Sequence, residues 1–247
     1  MLFFSTLDPK IILTFKNLIM KKNLLILGIC LFAGTTMFSQ KLGSFNSTIE
    51  KKVGPKTVKV PYTSVNSYLG YAEKGSEDAV VDGKKYTYIY VWIPAVAPEL
   101  GVRMMSPVDA KTAEKLKDAT KAANYDANSS STAYFDTYIT FEKSNILSLS
   151  DISKEKIASA KWTVMERNDD SSEMPSQPSG SNYNSLLRIQ SETSDPLKAL
   201  TVGLYRVGFT TYKTGEVNGT FLAEVGAPVA LPGIIITKNI DELKKVK

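Results

Sequence analysis

Lys85-Tyr86-Thr87-Tyr88-Ile89-Tyr90-Val91-Trp92-Ile93-Pro94 carries apolar or aromatic side chains on both faces of a period-two segment. Such a run suits a central strand covered on both sides. Pro94 ends it because proline has no N–H to give to a ladder. Working outward, the same period recurs at Val58, Val60 and Tyr62, and at Val65, Ser67, Leu69 and Tyr71. It returns in Val102 to Met105, Tyr134 to Glu142, Lys161 to Met165, Tyr183 to Ile189, Val202 to Tyr212 and Val217 to Val225. Lys213-Thr214-Gly215-Glu216 reads as a hairpin turn between the last two, and Glu73 to Gly83, holding Gly75, Asp78 and Asp82-Gly83, as a connecting loop with a turn. Helical spacing occurs in Asp109 to Ala123, capped by Asp109 with Ala113, Leu116 and Ala119 on its weak apolar face, in Ile146 to Ala158, and in Ile240 to Val246. Short strands without βαβ alternation predict a mainly β fold, an antiparallel β-sandwich with jelly-roll or Greek key connections, a few peripheral α-helices and no internal repeat.

The first forty residues stand apart from that pattern. Met20-Lys21-Lys22 followed by Leu24-Leu25-Ile26-Leu27-Gly28-Ile29-Cys30-Leu31-Phe32-Ala33 has the basic and apolar regions of a signal peptide. The expected organisation is residues 1–19 as a mis-assigned upstream start, 20–39 as the signal peptide cut before Gln40, and 40–247 as one exported domain. A permanent transmembrane helix needs about 20 apolar residues, roughly twice this run. Without residues 1–39, which hold four Lys and one Asp, the formal charge falls from +5 to +2. The remaining cations are scattered, which argues against nucleic acid as a partner. Cys30 is the sole cysteine, so the mature chain can form no disulfide. Ile29 before it is bulkier than a lipoprotein peptidase accepts, which leaves lipidation of Cys30 open.

There is no histidine, which removes Ser-His-Asp and Cys-His catalysis and His-ligated zinc together. Paired carboxylates could still cleave a glycoside, but the spacing of Asp136, Glu142, Glu166 and Glu216 selects no pair. No phosphate-cradling glycine motif occurs, and the expectation is a binding protein rather than an enzyme. The densest polar chemistry is Glu166-Arg167-Asn168-Asp169-Asp170-Ser171-Ser172-Glu173, heading a stretch to Asn182 that is almost without apolar groups. Clustered oxygen ligands on a loop suit calcium, which takes six to eight oxygens, yet without EF-hand spacing the segment alone reads more simply as a solvated loop. The 12 Tyr and two Trp alternate within strands and are core or cross-strand partners first.

Six collinear segments carry a resemblance: Ser67 to Tyr71 (SYLGY), Tyr90 to Val96 (YVWIPAV), Gly101 to Pro107 (GVRMMSP), Phe135 to Ile139 (FDTYI), Tyr183 to Leu186 (YNSL) and Gly203 to Val217 (GLYRVGFTTYKTGEV). In these the chain resembles the leptospiral major outer-membrane surface lipoprotein family. The resemblance implies a jelly-roll calcium-binding protein of the cell surface or outer membrane that is not an enzyme. It also implies adhesion to extracellular-matrix proteins such as collagen, laminin and fibronectin. It implies that calcium is held by Asp136 and Thr137 of the Phe-Asp-Thr-Tyr segment, Asp169 and Asp170 of the acidic loop, and Tyr183, through its backbone carbonyl. Three carboxylates would balance a divalent ion, and other oxygens and water would complete its shell. The alternative for Asp136 is a strand-end cap or an ion pair with Arg188 or Arg206. Where the family has a long aspartate run, this chain has Asp169-Asp170 flanked by Glu166 and Glu173. A structural envelope protein without calcium or host ligand, and a glycan-binding sandwich, are the other expectations; self-association into a homo-oligomer is left open.

Overall fold

Two sheets close on one apolar interior. A computed structural model describes residues 42–213 and 215–244, all within the unit Ser39–Lys247. The expected upstream start, the signal peptide and Cys30 lie outside the described residues. The strands are β1 (Asn46–Val53), β2 (Lys56–Pro61), β3 (Ser64–Ala72), β4 (Ala79–Val81), β5 (Lys84–Ile93), β6 (Glu99–Met105) and β7 (Thr120–Lys121). They continue as β8 (Tyr138–Ser144), β9 (Trp162–Asn168), β10 (Ser185–Gln190), β11 (Gly203–Thr210), β12 (Gly219–Ala227) and β13 (Ile235–Thr237). One sheet runs β13-β5-β11-β8-β9, with β4 also on β5; the other runs β10-β6-β12-β3-β7. Among the described residues, strand content of 42% against 11% helix makes the fold mainly β. Every described pairing is antiparallel except β3 with β7.

The period-two reading of β5 holds. Ile89, Val91 and Ile93 face inward with Phe141, Val207 and Phe209, and meet Val102, Met104, Phe221, Ala223 and Val225 of the other sheet. Phe209 and Phe221 link the sheets with ring centroids 4.8 Å apart. The opposite side of β5 is covered too, since Trp92 is buried with Ile146, Ile152, Ile157, Leu204 and Leu243. Each such side chain removed from water contributes about 1.5–3 kcal/mol. The outer face of the other sheet is covered by a second cluster, Leu69, Met105, Val108, Tyr125, Met174 and Leu222. The unit Ser39–Lys247 thus contains its whole described interior.

The short helices depart from their expected lengths. Asp109 does cap a helix, accepting from Thr112 N at 2.6 Å, but α1 spans only Ala110–Lys115. Beyond Leu116 the chain pairs with the edge of β3, where Tyr68 faces Thr120, and Ala122 N donates to Leu69 O at 2.8 Å. Leu116 and Ala119 still pack on the second cluster, so their spacing reports burial without continued helix. A further turn, α2, covers Tyr125–Asn128. Ile146 to Ala158 holds a 3₁₀ turn at Leu149–Asp151 and α3 at Lys154–Ser159, each capped by a serine, Ser148 or Ser153. The last helix, α4, covers Ile240–Leu243.

Two connections and one strand boundary also differ from expectation. Lys213 to Glu216 is no hairpin turn, because β11 pairs with β5 and β8 whereas β12 pairs with β3 and β6, so the connection crosses between sheets. Gly215, at φ +66°, passes so close to β5 that an added Cβ would lie 2.8 Å from Lys84 Cα. The Glu73 to Gly83 loop contains β4, joined to β5 by Asp82 and Gly83 at φ +50° and +79°. The strand expected from Tyr134 begins only at Tyr138, with Phe135 instead buried against Phe209.

β1 and β2 form a separate two-stranded ribbon. Its base is seated where Phe45 and Tyr62 lie over the paired glycines Gly101 and Gly226. A Cβ on Gly101 would fall 2.3 Å from Tyr62 Cε2 and 2.7 Å from Phe45 Cε2. Gly101→Val is therefore expected to unseat the ribbon, destabilising the fold by about 1–3 kcal/mol as overpacking does. Limited proteolysis should then cut near residue 61 before the sandwich, whereas wild type resists.

Candidate cation site

Asp136 and Thr137 sit just before β8, Asp169 and Asp170 just after β9, and Tyr183 just before β10. Pairing of Ile139 with Asn168 joins the first two segments. Thr137 joins the third: its N–H and Oγ1 donate to Tyr183 O at 2.9 and 3.1 Å. Ser185 Oγ closes the group, donating to Asp169 O at 3.0 Å and also to Thr137 O. All five residues therefore meet at one end of the sandwich. Thr137 is fully buried, Asp136 and Asp169 are partly buried, and Asp170 is exposed.

Asp136 Oδ1 is buried and makes no hydrogen bond. Burial, then the nearby Asp170 and Asp169 charges, push its carboxyl up to about 6, against partial relief from Lys213 and Lys84. Burial and Asp169 also push Asp170 upward. The alternatives of pairing with Arg188 or Arg206 fail: Arg188 binds Glu173 through two bonds of 2.7 and 2.8 Å, and Arg206 binds Glu142 at 2.7 Å. A carboxylate with one buried oxygen that no donor meets, beside two like charges, is costly, and a cation would relieve it.

The fit to a cation has limits set by the same contacts. Among the described residues no three acidic side chains converge closely enough to hold a metal by themselves. Tyr183 O already accepts from Thr137 and, at 3.3 Å, from Gln177 Nε2. Donors suited to a hard cation are present nonetheless: Asp136, Asp169 and Asp170 carboxylates, the Thr137 hydroxyl and the Tyr183 carbonyl, with oxygen the only atom type offered. Those residues would hold the ion, which would supply charge neutralisation and cross-link three segments.

Sequence patterns missed several contributors. Asn168 Oδ1 is buried without a partner, directly beside Asp169. The stretch from Asn168 to Asn182, expected to be wholly exposed, is pinned from within. Met174 is in the second apolar cluster, and Gln177 Nε2 donates to Phe135 O at 2.7 Å. Asn184 Nδ2 donates to Pro175 O at 2.7 Å, and Asn184 Oδ1 accepts from Ser106 N at 2.9 Å. Two other acidic candidates are committed elsewhere, Glu142 to Arg206 and Glu216 to Lys74 and Lys85, which hold the Glu216 carboxyl below its usual range.

Comparison with known families bears on this end of the molecule and the strands that build it. The sequence profile described as Lipl32, surface lipoprotein of the Spirochaetales order, matches residues 56–236, which include all five residues above. The chain belongs to the Lipl32 family. No curated protein matches it. Lipl32 membership makes it an exported protein of the cell surface or outer membrane, in a family of surface lipoproteins rather than a known class of enzymes.

Proposed function

We propose that this protein is a non-enzymatic, calcium-binding surface protein with jelly-roll connections, which presents the end of its sandwich near Asp136 to matrix proteins of the collagen, laminin or fibronectin kind. The observation that carries the calcium reading is the unpartnered, buried Asp136 Oδ1 beside Asp169 and Asp170. Calcium would couple the segments before β8, after β9 and before β10, ordering the acidic loop rather than activating a substrate. Exposed Tyr134, Tyr183 and Tyr212 lie at this same end and give a protein partner amphipathic rings.

Calorimetric titration of calcium into the chelator-stripped chain Ser39–Lys247 should give saturable binding, and a hundredfold excess over Kd should stabilise the fold by about 2.7 kcal/mol. Absence of heat and of any melting shift would remove the calcium reading. A second reading then stands on the Gln177 and Asn184 amides, which tie the loop to Phe135 and Pro175 without an ion. On it the protein is a structural envelope component with neither calcium nor host ligand, and solid-phase binding to matrix proteins should be blank.

A further inference from the structure

Two groups of exposed apolar side chains stand at opposite ends of the sandwich. The three exposed tyrosines flank the cation site, whereas Val96, Leu147 and Leu197, each at least 60% exposed, stand at the opposite end. Their loops are tied together: Ala97 N donates to Leu200 O at 3.1 Å, Lys143 Nζ to Pro196 O at 3.0 Å, and Leu204 N to Ile146 O at 2.9 Å. Single exposed aliphatics are ordinary, but of the five described ones at 60% or above only Val80, in β4, lies elsewhere; the fifth is Val53, on the ribbon.

The ribbon leaves the sandwich at that same end. Arg188 Nε donates to Asn46 O, and two residues on Thr48 meets Gln190 and Glu99, which are the last residue of β10 and the first of β6. From there the ribbon runs on to a tip at Val53, exposed from Glu50 onward. The tip carries Lys51, Lys52 and Lys56, all exposed, facing Val58, Thr57 and Val53 in the register, and none joins any ion pair among the described residues. Lys59, by contrast, faces Glu50. The ribbon tip thus offers three cations outside any described ion pair, beside separate aliphatic tips on loops where Glu192 is paired with Lys198 and Asp195 caps Leu197 N.

We propose that this end docks on an anionic lipid surface, with Lys51, Lys52 and Lys56 meeting headgroup phosphates and Val96, Leu147 and Leu197 entering the interfacial layer. The tips stand singly, with Ser148, Thr193 and Lys198 among them, rather than meeting in a groove; a fluid interface accommodates such points where a rigid protein partner would need a continuous surface. Three lysines at an anionic surface act together and without fixed geometry. Docked this way, the molecule holds the Asp136 end away from the bilayer, which joins surface attachment and outward presentation in one orientation.

The test is sedimentation of the chain Ser39–Lys247 with phosphatidylcholine vesicles and with vesicles about one-third phosphatidylglycerol. Binding to the second only, released by salt, is expected. Lys51→Gln, Lys52→Gln and Lys56→Gln together should weaken it roughly hundredfold. Val96→Ser, Leu147→Ser and Leu197→Ser together should also weaken it, with melting temperature unchanged in both variants. A chain that stays in the supernatant with anionic vesicles, or triple variants that bind like wild type, overturns the proposal. So does a concentration-dependent dimer, seen by sedimentation velocity, that either triple variant abolishes.

Discussion

Arg103→Ala should destabilise the protein by about 3–5 kcal/mol, the cost of leaving one member of a buried ion pair without the other. For a domain of this size that is a fall in Tm of roughly 6–20 °C. Arg103 on β6 faces Glu224 on β12, with side chains 8% and 2% exposed. The guanidinium also donates to Gly43 O at 3.1 Å and lies 4.3 Å from the Phe45 ring centroid, while Glu224 accepts from Ser67 Oγ at 2.7 Å. Alanine at 103 would strand the carboxylate and free the chain leading into the ribbon. Replacing both partners by Arg103→Met and Glu224→Leu should restore most of the loss, since the penalty belongs to the unpaired charge. Denaturant unfolding of both singles and the double measures it. Additive single effects would mean that packing of the arginine over Phe45 dominates.

Legibility in the sequence followed how local each determinant is. β5 was readable because both of its faces are apolar, so the pattern does not depend on which partner covers it. The Asp109 cap was readable because its hydrogen bond spans three residues, but the end of α1 was not, because the edge of β3 competes for residues 120–122. Alternation in β11 and β12 gave two correct strands and a wrong connection: period two names a buried face without saying to which sheet it belongs. At the site, residue types alone favoured a solvated acidic loop, and both the cation and the choice of five residues came from the family resemblance. Gln177 gave no signal at all, because its amide acts on Phe135, 42 residues away, and a lone glutamine in a polar stretch looks solvated. Met174 was similarly hidden as a single apolar anchor, too isolated to create a periodic pattern.

Asp136→Asn should have opposite consequences with and without calcium, and that inversion separates a cation site from a merely strained carboxylate. Asp136 titrates at about 6 in the fold against an ordinary 3.8, so the folded state binds its proton more tightly than the unfolded state does. Above pH 6 the ionised group therefore destabilises the ion-free fold, solvent on its open side moderating the effect, and the burden lifts as pH falls through 6 and is gone below 4. Asp170 and Asp169 add to this burden, and Lys213 and Lys84 reduce it. In chelator at pH 7 the asparagine variant should melt above wild type, and the difference should shrink toward pH 4. With calcium, the carboxylate would be held ionised by the ion, so wild type gains stability at pH 7 that acid removes, and the variant gains little. Melting curves of both proteins from pH 4 to 7.5, in chelator and in calcium, read out all four arms. A variant less stable than wild type in chelator at pH 7 would show that Asp136 is satisfied in the native fold without an ion, and would favour the structural reading of this end.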